Sequence, residues 1–305
     1  FLDAVVVEDL EKAVTFLYSG LVPLFISGYS GIIIIDCRNY PLRGIEEPSK
    51  EKSLRGSKDG FVESMMTNIA LIRRRIRDDN LIFKVFTIGD ITKSDVSMAY
   101  MKNKADMSMV KRLAKSLQDL QTKGLTVTEQ TLVEVLLGKK LGKLNPFPRV
   151  RYAQRPDVIA AHLEEGKIAV IVDNSPTVIL LPAGVFDFVQ DVDDYYFPML
   201  TGNYFRMLRI LNILVILFAT PVYLAFAEGA VPVHEVIRFF ITDEEFAISI
   251  FWQFLLLELA IDGLKLASLN TPESLGMSLS VIGALILGEF SVSSGWFVPQ
   301  TILCM

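Results

Sequence analysis

The sequence predicts a mixed α/β region of two small subdomains with β-hairpins, followed by an α-helical transmembrane bundle that is truncated. The chain has 305 residues, enough for two or three structural units. Apolar residues make up 51% of it and the mean hydropathy is +0.40, which is high for a soluble protein. Nearly all Lys and Arg lie before Arg209, which indicates a soluble part joined to a membrane part.

The first predicted subdomain covers residues 1–80 and contains a β-hairpin between helices. Apolar residues recur at helical spacing after Asp3, and two later apolar runs flank a loop with glycines, where a positive φ costs little. Charged, proline-containing sequence then argues against a regular element before the next helix. The expected elements are a helix over Asp3–Tyr18, strands over Gly20–Ile26 and Ile32–Asp36, a loop over 38–56 and a helix over Gly60–Arg77.

The second predicted subdomain covers residues 81–203. Thr126 and Glu129 are spaced as in a capping box, which predicts a helix start. Two apolar runs flank Asp173–Pro176, a typical turn sequence, and form a second hairpin. Each hairpin follows a glycine that ends a helix, which fits either a duplicated module or a recurrent local pattern. The expected elements are strands over Leu81–Ile88 and Val96–Met101, helices over Met107–Gln121, 126–137 and 155–165, a connector over 139–154, and strands over Lys167–Val172 and Thr177–Leu181.

The remaining residues, 204–305, are predicted to form a transmembrane region. Ile210–Ala227 contains 18 residues without a charge. At about 1.5 Å per residue such a helix is about 27 Å long, close to the thickness of a bilayer's hydrocarbon core. The expected spans are about 208–228, 246–268 and 277–300. Because Arg206 and Arg209 precede the first span and acidic residues follow it, the N-terminal region is expected in the cytoplasm.

Four charged residues within the apolar region are candidate functional residues. Glu258, Asp262 and Lys265 are spaced so that they share one stripe of a helix. A charge in hydrocarbon costs about 2.5–3.5 kcal/mol even on lenient scales, so such residues face protein or water. The stripe fits either an ion or solute path, or a helix end near the interface where Lys265 pairs with Asp262. Glu289 fits either a polar route or burial in a subunit contact.

Other features argue against a nucleic-acid partner, a metal site and an enzyme. A net charge of −5 and a pI near 5.3 do not favour phosphate binding. Cys37 and Cys304 are far apart in sequence, and the chain has only two histidines, His162 and His234, so neither a disulfide framework nor a metal centre is expected. Asp173–Pro176 suits a hairpin turn better than a catalytic acid beside a serine. With no phosphate-binding loop or nucleophile motif, we expect no enzyme activity and no cofactor.

A run of arginines near the end of the last helix of the first subdomain is the candidate site of the soluble part. Arg73, Arg74 and Arg75 point in different directions around a helix, so they cannot share one solvated face. At least one is expected to meet a carboxylate, either Glu63 or an acid of the second subdomain. We expect these residues, with Arg77, to form a clamp between the subdomains; phosphate or lipid-headgroup binding is the alternative.

Several segments match the sequence blocks of one known family. They are, in the expected order, Arg55–Arg77, Arg155–Asp157, Ile171–Pro176, Asp194–Tyr196, Phe205–Arg209 and Leu255–Lys265. Because order and spacing agree over nearly the whole chain, the sequence resembles the A-subunit family of spore germinant receptors (GerA type). Asp36–Pro41 and Asn145–Tyr152 are most similar to the stage V sporulation protein AF branch of that family.

The resemblance implies a multi-pass protein of the spore inner membrane that acts in germination. Receptor members work with B and C subunits as nutrient-gated ion channels, and the AF branch is associated with a partner membrane protein in ion release. It therefore implies a subunit of an oligomeric ion channel or germinant-receptor complex, as a homo-oligomer or with other germination membrane subunits; the sequence does not specify the germinant. Family members carry further membrane helices, so the bundle is expected to be incomplete here. A secondary transporter using Glu258, Asp262 and Glu289, or a non-conducting scaffold, is the alternative.

Overall fold

The computed structural model describes residues 3–36, 43–49, 51–120, 128–137, 149–231, 248–269, 281–283, 285, 288–289, 293 and 295–304. By contact, the chain divides into two compact units, Phe1–Phe188 and Val189–Met305. The first unit contains two antiparallel sheets, and the second contains apolar helices. The predicted mixed α/β fold is confirmed, while the division of the chain at residues 80 and 203 stays a prediction.

A three-stranded antiparallel sheet forms the start of the first unit. Its strands are β1 (Asp3–Val7), β2 (Val22–Phe25) and β3 (Ile32–Asp36), in the order β1-β3-β2, with helix α1 (Leu10–Tyr18) between β1 and β2 in sequence. The helix predicted over Asp3–Tyr18 is wrong for its first residues. Val5–Val7 is β-branched and pairs with β3. The Asp9 carboxylate accepts from the Glu11 amide at 3.0 Å, so the helix begins only after this cap.

A five-stranded antiparallel sheet forms the centre of the first unit. Its strands are β4 (Leu81–Ile88), β5 (Ser94–Met101), β6 (Arg151–Ala153), β7 (Ile168–Val172) and β8 (Val178–Leu181), in the order β4-β5-β7-β8-β6. The predicted connector over 139–154 is wrong near its end, because Arg151–Ala153 pairs with β8. Three residues are too few to show the alternation of a strand in the sequence. This strand is therefore recognised only from its pairing with β8.

Helices cover both faces of the five-stranded sheet. They are α2 (Met65–Arg75), α3 (Met107–Gln118), α4 (Thr128–Leu137) and α5 (Pro156–Glu164). Val110, Leu117 and Leu132 of α3 and α4 are buried against one face, and α2 and α5 lie on the other. β7 is consequently buried along its whole length, as expected for a strand between two helical layers. Of the predicted capping box, Thr126 lies outside the described residues.

The later part of the chain is helical. Its described helices are α6 (Val185–Val189), a 3-10 helix (Val192–Tyr195), α7 (Met199–Ala227), α8 (Ile250–Leu269) and α9 (Pro299–Cys304). In the described part of the chain, α7 is the one helix that is long and apolar enough to cross a membrane. Only 6% of its most apolar stretch is buried, which distinguishes it from the core helix of a soluble domain.

The three predicted spans have different outcomes. The first, at about 208–228, corresponds to α7, the candidate membrane helix, which begins earlier, at Met199. The second, at about 246–268, corresponds to α8, which carries three charged residues and does not meet the same criterion of composition. Much of the third, at about 277–300, lies outside the described residues. The multi-helix bundle therefore stays a prediction.

A buried side-chain amide joins α8 to α9. Gln253 is fully buried. Its carbonyl oxygen accepts from the Val298 amide at 2.9 Å, and its amide nitrogen donates to the Ile248 carbonyl at 2.8 Å. Val298 directly precedes α9, so Gln253 satisfies an amide that has no partner within that helix. Tyr223 of α7 packs edge-on against Phe254 of α8, with ring centroids 5.8 Å apart.

Candidate functional site

Three of the arginines predicted to form a clamp lie at the end of α2 and contact different groups. Arg74 and Arg75 both donate to the Asp59 carboxylate, at 2.6 and 2.5 Å. Arg73 donates to the Leu81 carbonyl at 2.8 Å. Arg73 therefore fastens the end of α2 to the start of β4, whereas its two neighbours hold the loop that precedes α2.

The other two predicted clamp residues, Glu63 and Arg77, lie apart from Asp59. Glu63 forms a half-exposed ion pair with Arg43, with 3.5 Å between the charged atoms. Arg77 donates to the Arg74 carbonyl at 3.4 Å, within its own helix end. The carboxylate that binds two of the four arginines is thus Asp59, which sequence reasoning did not single out. The role of the run as a clamp between two subdomains stays a prediction.

Asp59 is held as an anion by the chain itself. Burial acts to raise the pKa of Asp59, but hydrogen bonds from Arg75 and Ser57 outweigh it and leave the pKa below its usual value. Both carboxylate oxygens receive a guanidinium donor. Because the nearest anion to Arg74 and Arg75 belongs to the chain, the geometry favours a structural interpretation over phosphate binding.

Arg155 is fully buried and has an acceptor for each of its five N–H groups. Nε and Nη2 donate to the two oxygens of Asp157, at 3.1 and 2.7 Å. Nη1 donates to Ser53 Oγ at 2.9 Å and to the Glu51 carbonyl at 3.1 Å. Nη2 also donates to the Ser57 carbonyl at 2.6 Å. A guanidinium carries five N–H donors, so none remains for a ligand, and we call these five residues the Arg155 network.

The Arg155 network fastens the loop before α2 onto the start of α5. Two neighbouring bonds extend it: the Gln154 amide donates to the Glu51 carboxylate at 2.7 Å, and the Phe61 amide donates to the Gln154 carbonyl at 2.8 Å. Burial raises the pKa of Glu51, and the bond from Gln154 opposes that shift. The loop has few regular backbone bonds of its own, so these side chains satisfy its buried polar groups.

The start of α2 is fastened to the β7–β8 hairpin. The Met65 amide donates to the Asp173 carboxylate at 3.0 Å. A carboxylate at a helix N-terminus also interacts favourably with the helix dipole, which gives this turn residue a second role. Arg55–Arg77, Arg155–Asp157 and Ile171–Pro176 are far apart in sequence, yet the structure brings them together in one polar cluster.

His162 is a buried histidine whose two ring nitrogens are both engaged. Nε2 lies 3.0 Å from Arg151 Nη1, and Nδ1 lies 2.8 Å from Glu165 Oε2. A guanidinium can only donate, so Nε2 accepts and the ring proton is on Nδ1. Burial lowers the pKa of His162 below its usual value; the bond to Glu165 opposes this shift, and the charges of Lys167 and Arg151 add to it. The folded structure therefore holds a neutral imidazole.

We expect the stability of the first unit to fall as the pH drops below about 6.5, the ordinary pKa of histidine. Below that pH the unfolded chain binds a proton that folded His162 does not, because its folded pKa is lowered. The free energy of unfolding then decreases by at most about 1.4 kcal/mol per pH unit, and above that pH this contribution is fully present.

The measurement is thermal unfolding between about pH 5 and pH 8, compared with His162→Gln, which cannot titrate. Other titrating groups contribute equally to both proteins, so the difference in slope isolates His162. Parallel stability profiles for the two proteins would contradict the assignment.

In the second unit, Arg209 of α7 forms a two-bond ion pair with Asp194 of the 3-10 helix. The Nη2–Oδ1 and Nη1–Oδ2 distances are 2.5 and 2.7 Å, and Nη1 also donates to the Val189 carbonyl at 2.8 Å. The Asp194 side chain is only 1% exposed. Burial acts to raise the pKa of Asp194, but the bond from Arg209 outweighs it and keeps the pKa low. The pair joins Asp194–Tyr196 to Phe205–Arg209, two further segments of the resemblance.

The predicted stripe of charges lies on the exposed side of α8. Glu258, Asp262 and Lys265 are all exposed, and 3.6 Å separates the charged atoms of Asp262 and Lys265. Phe254 lies one turn before Glu258 on the same face and is buried against Tyr223 of α7, so the exposed stripe begins only after that contact. The structure therefore leaves the three predicted residues together on a part of α8 that the described helices do not cover.

Glu289 is also exposed. No hydrogen bond or ion pair among the described residues joins it to the stripe on α8. Among all residues that the structure describes, no three or more His, Cys, Asp and Glu side chains lie close enough together to hold a metal ion. Cys37, His234 and most of Asp36–Pro41 lie outside the described residues, as does about half of Asn145–Tyr152.

One protein-family model and several known proteins match nearly the whole length of this chain. The family model for the Bacillus/Clostridium GerA spore germination protein matches residues 2–305. Stage V sporulation protein AF of Bacillus subtilis is 35% identical over 297 residues, which cover 97% of this chain and 60% of that protein. Spore germination protein A1 of Bacillus subtilis is 30% identical over 296 residues, covering 96% of this chain and 61% of that protein. The chain thus spans about 60% of the length of these curated relatives.

Among solved structures, the chain is similar to the N-terminal domain of the A subunit of the Bacillus megaterium spore germinant receptor GerK3. The identity is 35%, and the match covers 41% of this chain and 96% of that chain. The TM-score is 0.33, so this likeness is one of sequence rather than of superposed structure.

Proposed function

We propose that this chain, which belongs to the GerA family of Bacillus and Clostridium spore germination proteins, is a subunit of an oligomeric ion channel or germinant-receptor complex that releases ions during germination. Relatives named spore germination protein A1 and spore germination protein KA, both of Bacillus subtilis, support the role in germination. The chain covers about 60% of its relatives' length, so the proposal concerns the complete polypeptide. In this proposal the charged residues around Asp59 and Arg155 stabilise the fold. Those on α8 take part in ion passage, and none is catalytic.

The proposal also includes a location. An apolar, unburied α7 supports insertion in a membrane, and one relative is named a membrane protein, YfkQ of Bacillus subtilis. Arginines before the first span support a cytoplasmic first unit. We propose that the protein crosses the spore inner membrane more than once and assembles as a homo-oligomer or with other germination membrane subunits.

The exposed stripe on α8 is the observation that carries the channel proposal. Glu258, Asp262 and Lys265 are the charged residues of a helix whose other residues are mostly apolar. Each charge facing lipid would cost about 2.5–3.5 kcal/mol, so the uncovered side of α8 requires water or another protein surface. Helices from further copies or from the rest of the polypeptide, arranged around such stripes, enclose a polar route for ions.

The test is ion flux through the complete protein, reconstituted in vesicles with its partner subunits. We expect Glu258→Gln with Asp262→Asn to lower cation conductance at least about threefold, since a unit charge about 6 Å from an ion contributes about 0.7 kcal/mol even in water. The matched control is Glu228→Gln, which removes an exposed acid just after α7. It should leave conductance unchanged.

The outcomes separate the alternatives. Flux that saturates at low turnover and requires a co-transported solute would favour a secondary transporter. A complex that assembles and passes no ions would favour a scaffold. If ions flow but the double variant conducts like the unaltered protein, the stripe has no part in the route.

A further inference from the structure

We propose that a basic face around α3 docks on the anionic headgroups of a lipid bilayer. The face consists of Lys102, Lys104, Lys111, Arg112 and Lys115. All five side chains are exposed. This interaction lies outside the ion release proposed above, and it rests on the proposed placement of α7 in a membrane with the first unit on the cytoplasmic side.

Helix geometry separates the cations of α3 from its core residues. Val110 and Leu117 are 4% and 2% exposed and belong to the core on one face of the five-stranded sheet. At about 100° per residue, Lys111, Arg112 and Lys115 lie within one arc on the opposite side of the helix. Because the apolar side of α3 is already buried in protein, the basic side can bind at a surface but cannot insert into hydrocarbon.

Neighbouring carboxylates among the described residues offset only part of this charge. Within the described residues, no ion pair joins any of the five to an acid. Asp106, whose carboxylate accepts from the Ser108 amide at 2.8 Å at the start of α3, lies close enough to Arg112 for that cation to help lower its pKa, and Lys104 acts in the same way on the pKa of Asp78. Ion pairs hold many cations outside this face, among them Lys58, Arg74, Arg75, Arg155, Lys167 and Arg209.

The charge of the face determines the kind of partner. The chain carries −5 overall, so five exposed cations that outnumber the nearby Asp78, Asp106 and Asp119 form a local excess of positive charge that attracts an anionic surface. The cytoplasmic leaflet of a membrane is such a surface and attracts basic residues close to it. α7 follows the first unit in sequence, so the basic face is tethered to any membrane that α7 crosses, at high effective concentration. We therefore commit to anionic lipid as the occupant.

The experiment uses the complete protein in nanodiscs of defined lipid. Ser116, exposed on α3, is replaced by cysteine and carries a donor fluorophore, after Cys37, Cys304 and any cysteine in the rest of the polypeptide are replaced by serine. Energy transfer to an acceptor on the lipid headgroups reports docking. It is measured in discs of phosphatidylcholine alone, and in discs that also contain phosphatidylglycerol, at low and high salt.

We expect strong energy transfer only in the discs that contain phosphatidylglycerol, and a loss at high salt because exposed charges are screened. Lys111→Glu with Arg112→Glu and Lys115→Glu should lower the ratio of docked to undocked protein on the order of 100-fold. The matched control is Lys12→Glu with Arg55→Glu and Lys84→Glu, which changes the same residue types and the same net charge at other exposed positions. It should dock normally.

A milder variant guards against misfolding. Lys111→Gln with Arg112→Gln and Lys115→Gln removes the charges without adding new ones, and it should still reduce docking at least about tenfold. Equal transfer in neutral and anionic discs would overturn the proposal. So would equal losses in the α3 and control variants. Docking that ignores lipid charge but requires a co-purified acidic protein would assign the face to a protein partner.

Discussion

Arg155→Ala should lower the free energy of unfolding of the first unit by about 3–5 kcal/mol. The change leaves the Asp157 carboxylate without its guanidinium, and it leaves the Ser53 hydroxyl and two loop carbonyls without a donor. A buried polar group that loses its partner is left with the full cost of its desolvation. The loss of stability therefore exceeds the net contribution of the hydrogen bonds themselves. Because the Arg155 network holds the loop before α2, we expect the whole polar cluster to open.

Amide hydrogen exchange of β7, in the complete protein in detergent, measures this effect. Exchange in that buried strand should accelerate by about two to four orders of magnitude. Arg55→Ala is the matched control: Arg55 is exposed in the same loop, so its loss should change stability by no more than about 0.5 kcal/mol.

A second variant distinguishes an unpaired charge from a simple cavity. Arg155→Met with Asp157→Asn removes both charges, and it should recover part of the loss because no buried carboxylate is left alone. A single variant that exchanges like the unaltered protein would show that the network contributes no stability.

Arg209→Ala should free the 3-10 helix from the start of α7, at a cost of about 2–3 kcal/mol. Asp194 is almost completely buried, so without Arg209 its carboxylate has to protonate, leave the site or remain unpaired. We set the cost below that of Arg155 because the Arg209 side chain is 29% exposed and solvent weakens the pair. Hydrogen exchange of residues 191–198 should rise while that of β7 stays constant.

A double-mutant cycle isolates this ion pair. Asp194→Asn alone should also destabilise the segment, but Asp194→Asn with Arg209→Ala should cost less than the sum of the two single changes, by about 1.5–3 kcal/mol. Additive losses would mean that the two residues act independently, in spite of their two short contacts.

The sequence predicts strands well where they are apolar and long. β3, β4, β7 and β8 lie in the predicted places. Short runs of continuous or alternating apolar residues are typical of strands in a buried sheet. β1 was missed since Val5–Val7 satisfies a helical pattern as well as a strand pattern. Only the pairing with β3, nearly thirty residues later, decides between them.

The site was predicted less completely, because its partners are distant in sequence. The arginines of α2 indicated that an acid was needed, but the choice of Asp59 over Glu63 depends on how the preceding loop folds back. Arg155 precedes a proline at a helix start and looks like a solvated terminal residue. Its burial depends on the loop that carries Ser53 and Ser57, so no local pattern shows it.

The long spacing within the Arg155 network also sets an order of events during biosynthesis. Ser53 leaves the ribosome 102 residues before Arg155, an interval of about 5–20 s at ordinary rates of translation. Until then the nascent loop has no guanidinium to hold it, and a chaperone or protease can reach it. The candidate membrane helix α7 begins at Met199, after Arg155 in the chain, so the Arg155 network can close before this helix is complete.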